Sequence, residues 1–457
     1  MSEDKKATVE ELLAKAYQPA KDAMRLHPFY RGKVEVVPKC QIRDFNDFAI
    51  WYTPGVAEPC KDIHANPEKV FEHTNKANMI AVVSDGSRVL GLGNIGAEAG
   101  LPVMEGKGIL FKYLGGVDAF PICVATQDKD EIINLVKNIQ PSFGGINLED
   151  IEKPKCFEIL DTLRGECHIP VWHDDQQGTA TVTVAGVINA LKVVGKDKEK
   201  VKTVLYGAGA SNARIARMLI AWGLNSDNMI LFDSKGPLHM GRTEFEESEP
   251  EKWWLCQNTN SQNVDVPFEE AIENADMLIA LSRSGPDVID KANITKMADD
   301  SIVFACANPI PEIWPWDAKE AGARIMATGR SDFENQVNNS LGFPGIFRGT
   351  LDVAATTITD EMCIAAAEEL AKCAEDNGIH EGYIIPTMDE WEVFPREAVA
   401  VGQKAIEQGL ARIELTPEQA YAQAERIIKR AREETVWRMK EGFIPTAPEE
   451  EKVTTGG

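Results

Sequence analysis

Short apolar runs alternate with amphipathic stretches through the middle of the chain. Residues 201–206 form a β-rich apolar run, glycines follow at once, and a helical pattern occupies 213–222. Further short runs at 229–232, 277–281, 302–307 and 325–327 have helices or loops between them. Strands that alternate with helices predict a parallel, doubly wound α/β sheet. Upstream, 9–17 reads as a helix, and 33–37, 79–84 and 109–113 read as strands punctuated by glycines. Beyond Arg348, the segments 354–376 and 417–441 space their apolar residues by three and four. They predict helices that pack on the body or on a partner subunit.

Composition narrows the class. At 457 residues the chain is long enough for about three domains, or two large ones. Forty-eight basic and 72 acidic residues give a formal charge of −24, which repels phosphate backbones and anionic lipid. Nucleic acid and membrane surfaces are therefore poor partners. No apolar run is long enough to span a bilayer, and the polar N-terminus resembles neither a signal nor a transit peptide. Nine scattered cysteines without a CxxC pair fit reduced, buried thiols in a cytoplasmic protein.

Gly207-Ala208-Gly209-Ala210-Ser211-Asn212 lies between a strand and a helix. Glycines there permit a tight turn and let a pyrophosphate approach the helix N-terminus. Asn212 stands where a third Gly or Ala is usual. The next strand ends at Asp233, about where an acid that binds ribose belongs. The frame predicts a nicotinamide dinucleotide site. Asp233 would accept from a free 2′-hydroxyl and favours NAD. Ser234 and Lys235 follow directly and favour the 2′-phosphate of NADP, so the coenzyme stays open between the two.

Two segments concentrate acids. Glu149 and Asp150 follow an apolar stretch, and Asp174 and Asp175 follow another within His173-Asp174-Asp175-Gln176-Gln177-Gly178. Each pair alone reads more simply as solvated loop acids. Carboxylates from two strand ends would build an oxygen-rich site suited to Mg²⁺ or Mn²⁺. Lys107, between Gly106 and Gly108, reads as a loop lysine. Close-packed glycine backbone around it would partly desolvate it and lower its pKa enough for a base.

Taken together, the segments YTPGVAEPC, SRVLGLGNIG, PVMEGKGILFK, FGGINLEDI, HDDQQGTA, GAGAS, DSKG, ANPIPEI and NNSLGFPGIFRG resemble malic enzyme in order and spacing. The resemblance runs from about residue 34 to residue 348. The length is similar to the compact microbial form, without the acyltransferase-like extension of some bacterial relatives. It implies an enzyme that converts malate to pyruvate and CO₂ with reduction of NAD or NADP. Residue by residue it implies Tyr52 as general acid, Lys107 as general base and Asp174 as support for that base. Glu149, Asp150 and Asp175 match the ligands of Mg²⁺ or Mn²⁺, Arg88 the grip on a substrate carboxylate, and Asn308 and Asn339 contacts to malate near the nicotinamide. Gly207, Gly209, Ser211, Asp233, Ser234 and Asn308 match the dinucleotide site. Gln177 departs from the histidine of close bacterial relatives.

The resemblance also implies an inserted architecture. Residues 1–173 make the substrate and metal domain, 174–338 a Rossmann-like NAD(P) domain, and 339–457 a helical segment that packs with the N-terminal domain. A homodimer or homotetramer is expected. The competing readings are a malolactic or oxaloacetate-decarboxylating enzyme on the same scaffold, and a dinucleotide sensor without catalysis. Retention of the lysine, tyrosine, arginine and acids argues against the sensor, which needs none of them.

Overall fold

The computed structural model describes residues 9–89 and 91–448. Its strands form two sheets. In the first, β1 (Met79–Ser84), β2 (Asp118–Cys123), β3 (Gly145–Leu148) and β4 (Val171–His173) lie in the order β2-β1-β3-β4, all parallel. The second holds β5 (Thr203–Tyr206), β6 (Met229–Asp233), β7 (Gly236–Pro237), β8 (Met277–Ala280), β9 (Ser301–Ala305) and β10 (Ala323–Thr328). Its order is β10-β9-β8-β5-β6-β7, parallel apart from the short β7 edge. The doubly wound expectation holds. Helices cover both faces of each sheet, so strands such as β8 and β9 are buried along their whole length and read as unbroken apolar runs.

The two sheets share one core. Helix Thr179–Val194 follows β4 through the turn Asp174–Gly178, is buried from Ala180 through Leu191, and belongs to the apolar cluster that also takes in Leu205, Phe304 and Ile325 of the second sheet. Late helices close back on the first sheet. Phe343 and Phe347 of helix Phe343–Asp352 pack on Phe111 of helix Ala97–Gly115 at centroid distances of 4.6 and 5.2 Å. Phe394 and Ile428, from helices Val393–Glu407 and Pro417–Lys440, join Leu114 in a satellite cluster. Gly115 makes this approach possible, because a Cβ there would sit 2.7 Å from the Pro344 carbonyl.

Two expected strands are absent. Segment 33–37 pairs with neither edge of the first sheet, and Val34, Val36 and Val37 are exposed. Alternation becomes a strand only where a neighbour offers a ladder. The run 109–113 lies inside helix Ala97–Gly115, which buries Met104, Lys107, Phe111 and Leu114. A short apolar run surrounded by glycines carries no period that separates the two states. Segment 354–376 starts later than expected, at Asp360, where the Thr359 hydroxyl accepts from the Met362 N–H at 3.1 Å. Of the nine cysteines, Cys40 and Cys60 are exposed rather than buried, and all nine are free thiols.

Candidate active site

In both sheets the chemistry sits beyond the carboxyl ends of parallel strands, where successive peptides turn away from the ladder. Beyond β3 come Glu149 and Asp150, each only 3% exposed. Asp150 adopts φ +54°, a strained state for a non-glycine residue, and its N–H donates to Asp175 Oδ2 at 3.0 Å. Beyond β4, Asp174–Gly178 form a single π-helical turn that projects Asp174 and Asp175 together, a device frequent at functional sites. Gly178 is required here, since a Cβ would lie 2.1 Å from Asp174 Oδ1.

Lys107 enters this cluster from mid-helix, not from a loop. Its ammonium donates to Asp174, lies 3.2 Å from Glu149 Oε1, and stands 4.4 Å from the centre of the Phe343 ring. Burial favours the neutral amine, but the charges of Asp174, Glu149 and Asp175 outweigh it and hold Lys107 protonated, above its ordinary value. The sequence expectation of a lowered pKa is therefore corrected. Desolvation was read from the glycines, while the acids that surround the lysine come from distant segments. Burial also raises Asp174 and Glu149, against the opposing charge of Lys107.

Glu149, Asp150 and Asp175 each present a carboxylate oxygen within 4.8 Å of the others. Three hard oxygen donors with room between them fit an Mg²⁺- or Mn²⁺-sized ion and not zinc. Neighbours hold the donors in place. Asn147 Nδ2 donates to Glu149 Oε2 at 2.9 Å, and the buried His173 lies 3.7 Å from Asp175 Oδ2, its pKa lowered by burial. Asn339 donates to Asp174, on the oxygen that Lys107 also uses. Gln177, the departure from relatives, accepts from the His173 N–H at 3.0 Å and so braces the start of the π turn.

Other expected residues make no side-chain hydrogen bond to the cluster among the described residues. The Arg88 side chain is exposed, while its N–H donates to the Asp150 carbonyl at 2.9 Å and anchors it beside the acids. Asn308 is exposed beyond β9. Its carbonyl would lie 3.3 Å from a Cβ on Gly91, so the two sheets' loops meet there. Tyr52 is 73% exposed, and its hydroxyl makes no hydrogen bond among the described residues.

The dinucleotide turn fits its expected ligand. Gly207 follows β5 with φ +104°, and a Cβ would stand 2.4 Å from the Leu281 carbonyl. Above Gly209 there is open space, which leaves backbone for a pyrophosphate at the N-terminus of helix Ala210–Trp222. Asn212, the second departure, donates from Nδ2 to the carbonyls of Tyr206 and Gly207 at 3.3 and 2.8 Å and fastens the turn. Ser211 points the other way. Its hydroxyl donates to the Asp175 carbonyl at 2.9 Å and ties the two sites together. Ser234 is exposed beside Asp233 at the end of β6. Lys153 was missed by the sequence reading. Its ammonium reaches the Ala208 carbonyl at 3.4 Å, and nothing local marks a lysine before Pro154 as part of a turn more than fifty residues away.

Comparison with known proteins agrees with this arrangement. Residues 31–164 match the malic enzyme N-terminal domain, and residues 176–406 match the malic enzyme NAD binding domain. The chain is 48% identical to the bifunctional malic/malolactic enzyme of Bacillus subtilis, over 87% of this chain and 96% of that one. It is 46% identical to the NAD-dependent malic enzyme of Geobacillus stearothermophilus, over 85% and 80%, and 43% identical to the NADP-dependent malic enzyme of Halomonas elongata, over 83% and 92%. The crystal structure of Entamoeba histolytica malic enzyme superposes with a TM-score of 0.94 at 46% identity, covering 98% of this chain and 93% of that one. This chain belongs to the malic enzyme family.

Proposed function

We propose that the chain is a divalent-metal-dependent oxidoreductase that converts malate to pyruvate and CO₂ while reducing NAD(P). The observation that carries this reading is the cluster of Lys107, Asp174, Glu149, Asp150 and Asp175, joined by the Ser211 bond to the Gly207–Gly209 turn. Oxidation at C2 needs a group that removes the hydroxyl proton next to a hydride acceptor. Lys107 already donates to Asp174, so its ammonium can pass a proton to that carboxylate and leave Nζ free to take the one from the C2 hydroxyl. Asn339 and Phe343 fix the orientation of that pair.

Glu149, Asp150 and Asp175 would hold the metal. When bound, it supplies Lewis-acid polarisation of the C2 oxygen and a positive charge that offsets the carboxylates around Lys107. The coenzyme, on the glycine turn, supplies the hydride acceptor. Arg88 carries a planar fork on an exposed side chain and is assigned the remaining carboxylate of malate. Tyr52 is assigned protonation of C3 after CO₂ leaves. Its hydroxyl makes no hydrogen bond among the described residues.

Malate with Mn²⁺ and NAD(P) is expected to produce reduced nicotinamide, followed by its near-ultraviolet absorbance, and pyruvate in equal amount. The name of the Bacillus relative supports a second reading, direct conversion of malate to lactate. Lactate formed without accumulation of reduced coenzyme would favour it over the first. Asp175→Ala removes one oxygen donor and the acceptor of the Asp150 N–H. It is expected to raise the Mn²⁺ needed for half-maximal rate more than about tenfold, and an unchanged metal titration would take Asp175 out of the ligand set. A homodimer or homotetramer is part of the proposal. Phe45, Phe48, Ile50 and Trp51 are exposed close together in sequence, as a subunit contact would require. No helix among the described residues is long and apolar enough to cross a membrane.

A further inference from the structure

One acid of the ANPIPEI segment stands outside the lysine and metal cluster, yet it is fully buried. Glu312 holds two loops at once. Its Oε1 accepts from the Ser282 N–H at 2.8 Å and from the Ser282 hydroxyl at 3.3 Å, in the loop that leaves β8. Its Oε2 accepts from the Ala307 N–H at 3.0 Å, in the loop that leaves β9. Burial raises the pKa of this carboxyl, and the donors from both loops oppose that rise.

Both loops border the cleft. Leu281, just before Ser282, backs the glycine turn, since a Cβ on Gly207 would stand 2.4 Å from its carbonyl. Asn308, just after Ala307, is the residue assigned to malate beside the nicotinamide. The outer part of its loop is fastened as well. Arg330 donates to the Pro309 carbonyl at 3.0 Å. The Ser284 hydroxyl accepts from the Ile310 N–H at 3.0 Å and donates to the Ile310 carbonyl at 3.1 Å. A Cβ on Gly329 would lie 3.2 and 3.3 Å from the amide nitrogen and oxygen of Asn308, so that amide rests against the loop after β10. Glu312 makes its bonds at the root of this arrangement, where the two chains leave the sheet.

We propose that Glu312 is a positioning residue for hydride transfer: it fixes Asn308 relative to the coenzyme turn, and so sets the approach of malate C2 to the nicotinamide. The need for a carboxylate is stereochemical. One N–H from each loop points at the same side chain, and a carboxylate offers an acceptor to both. The amide of glutamine offers an acceptor to one and a second donor to the other. The inference rests on the malate-oxidising reading and on the role of Asn308 within it.

The test uses the full chain with Mn²⁺ and NAD(P), and malate that carries hydrogen or deuterium at C2. Glu312→Gln keeps the shape of the side chain and releases one loop. Its kcat per folded enzyme is expected to fall by about tenfold to a hundredfold, as small misplacements of reacting groups do. The malate KM should rise, and the deuterium effect should grow as hydride transfer comes to limit the rate. Affinity for 5′-AMP, followed by calorimetry, should stay native, because Leu281 keeps its own N–H bond to the Tyr206 carbonyl at 3.1 Å. The Mn²⁺ titration should stay native too, since the bonds of Glu312 go to Ser282 and Ala307. Glu312→Asp keeps the charge but cannot reach both loops. It is expected to show the same split, and it carries the test if the glutamine variant does not fold. A purely structural role would lower the melting temperature and the yield of active protein while malate KM and isotope effect stay native, and that pattern overturns the proposal. Equal damage to 5′-AMP and Mn²⁺ binding overturns it as well. A native protein that reduces no coenzyme with malate defeats the wider reading and this inference with it. Native activity with unchanged KM and isotope effect in the variants defeats this inference alone.

Discussion

Lys107→Ala is expected to lower kcat by about 10²–10⁴-fold, the usual contribution of a positioned proton acceptor. Dinucleotide binding should persist, because the Gly207 turn makes no contact with this side chain. The substitution also leaves Asp174 fully buried with its cation gone, a change that typically costs about 3–5 kcal/mol unless the carboxyl takes up a proton. Thermal denaturation is therefore expected to shift down alongside the rate. Three measurements check the role together: single-turnover rates with malate, calorimetry with the dinucleotide, and a melting curve. Full activity in this variant would end the assignment. Lost dinucleotide binding would make Lys107 a structural residue of the whole cleft.

Gly207→Ala and Gly209→Ala are expected to fail in different ways. At Gly207 an alanine must adopt φ +104°, at a cost of about 1–3 kcal/mol, and must push its methyl against the Leu281 carbonyl. Both stability and dinucleotide affinity should fall, the latter by roughly tenfold or more. At Gly209 the backbone is already in an ordinary region, with φ −86°, and nothing lies within 4 Å of an added Cβ. That variant should melt like the native protein and lose affinity only because its methyl occupies the approach of the pyrophosphate. Similar melting of both variants would refute the packing argument. Similar affinity of Gly209→Ala and the native protein would move the pyrophosphate elsewhere.

These residues also show what the sequence made legible. The parallel second sheet could be read directly, because its main strands hold short apolar runs and three of them are closed by Gly207, Asp233 or Gly329. Both acid pairs were visible for the same reason, at strand ends. Their grouping was not visible as geometry, since it depends on the positive φ of Asp150 and on the π turn at Asp174–Gly178. Lys107 was placed in a loop because Gly100, Pro102, Gly106 and Gly108 look like helix breakers. In the fold Gly108 is what lets the helix lie close, with a Cβ there only 3.3 Å from the Ala119 carbonyl. The error in its pKa has the same origin: burial is local and partly readable, whereas the charges of Asp174 and Glu149 arrive by topology. Asp233 shows the same limit, since its partners Arg242 and Lys252 come from segments beyond the strand that its position in sequence does not reveal.

The hydroxyl of Ser211 has a consequence beyond geometry. It belongs to the first turn of the helix proposed to receive the coenzyme, yet its acceptor is the carbonyl of a proposed metal ligand, Asp175. A coenzyme that tightens this turn steadies the Asp175 peptide as well. Thermodynamic reciprocity then fixes the return effect: by whatever factor NAD(P) changes the affinity for Mn²⁺, Mn²⁺ changes the affinity for NAD(P) by the same factor. The total binding free energy is the same whichever ligand arrives first, and the Ser211 bond is a contact through which one ligand can alter the affinity for the other.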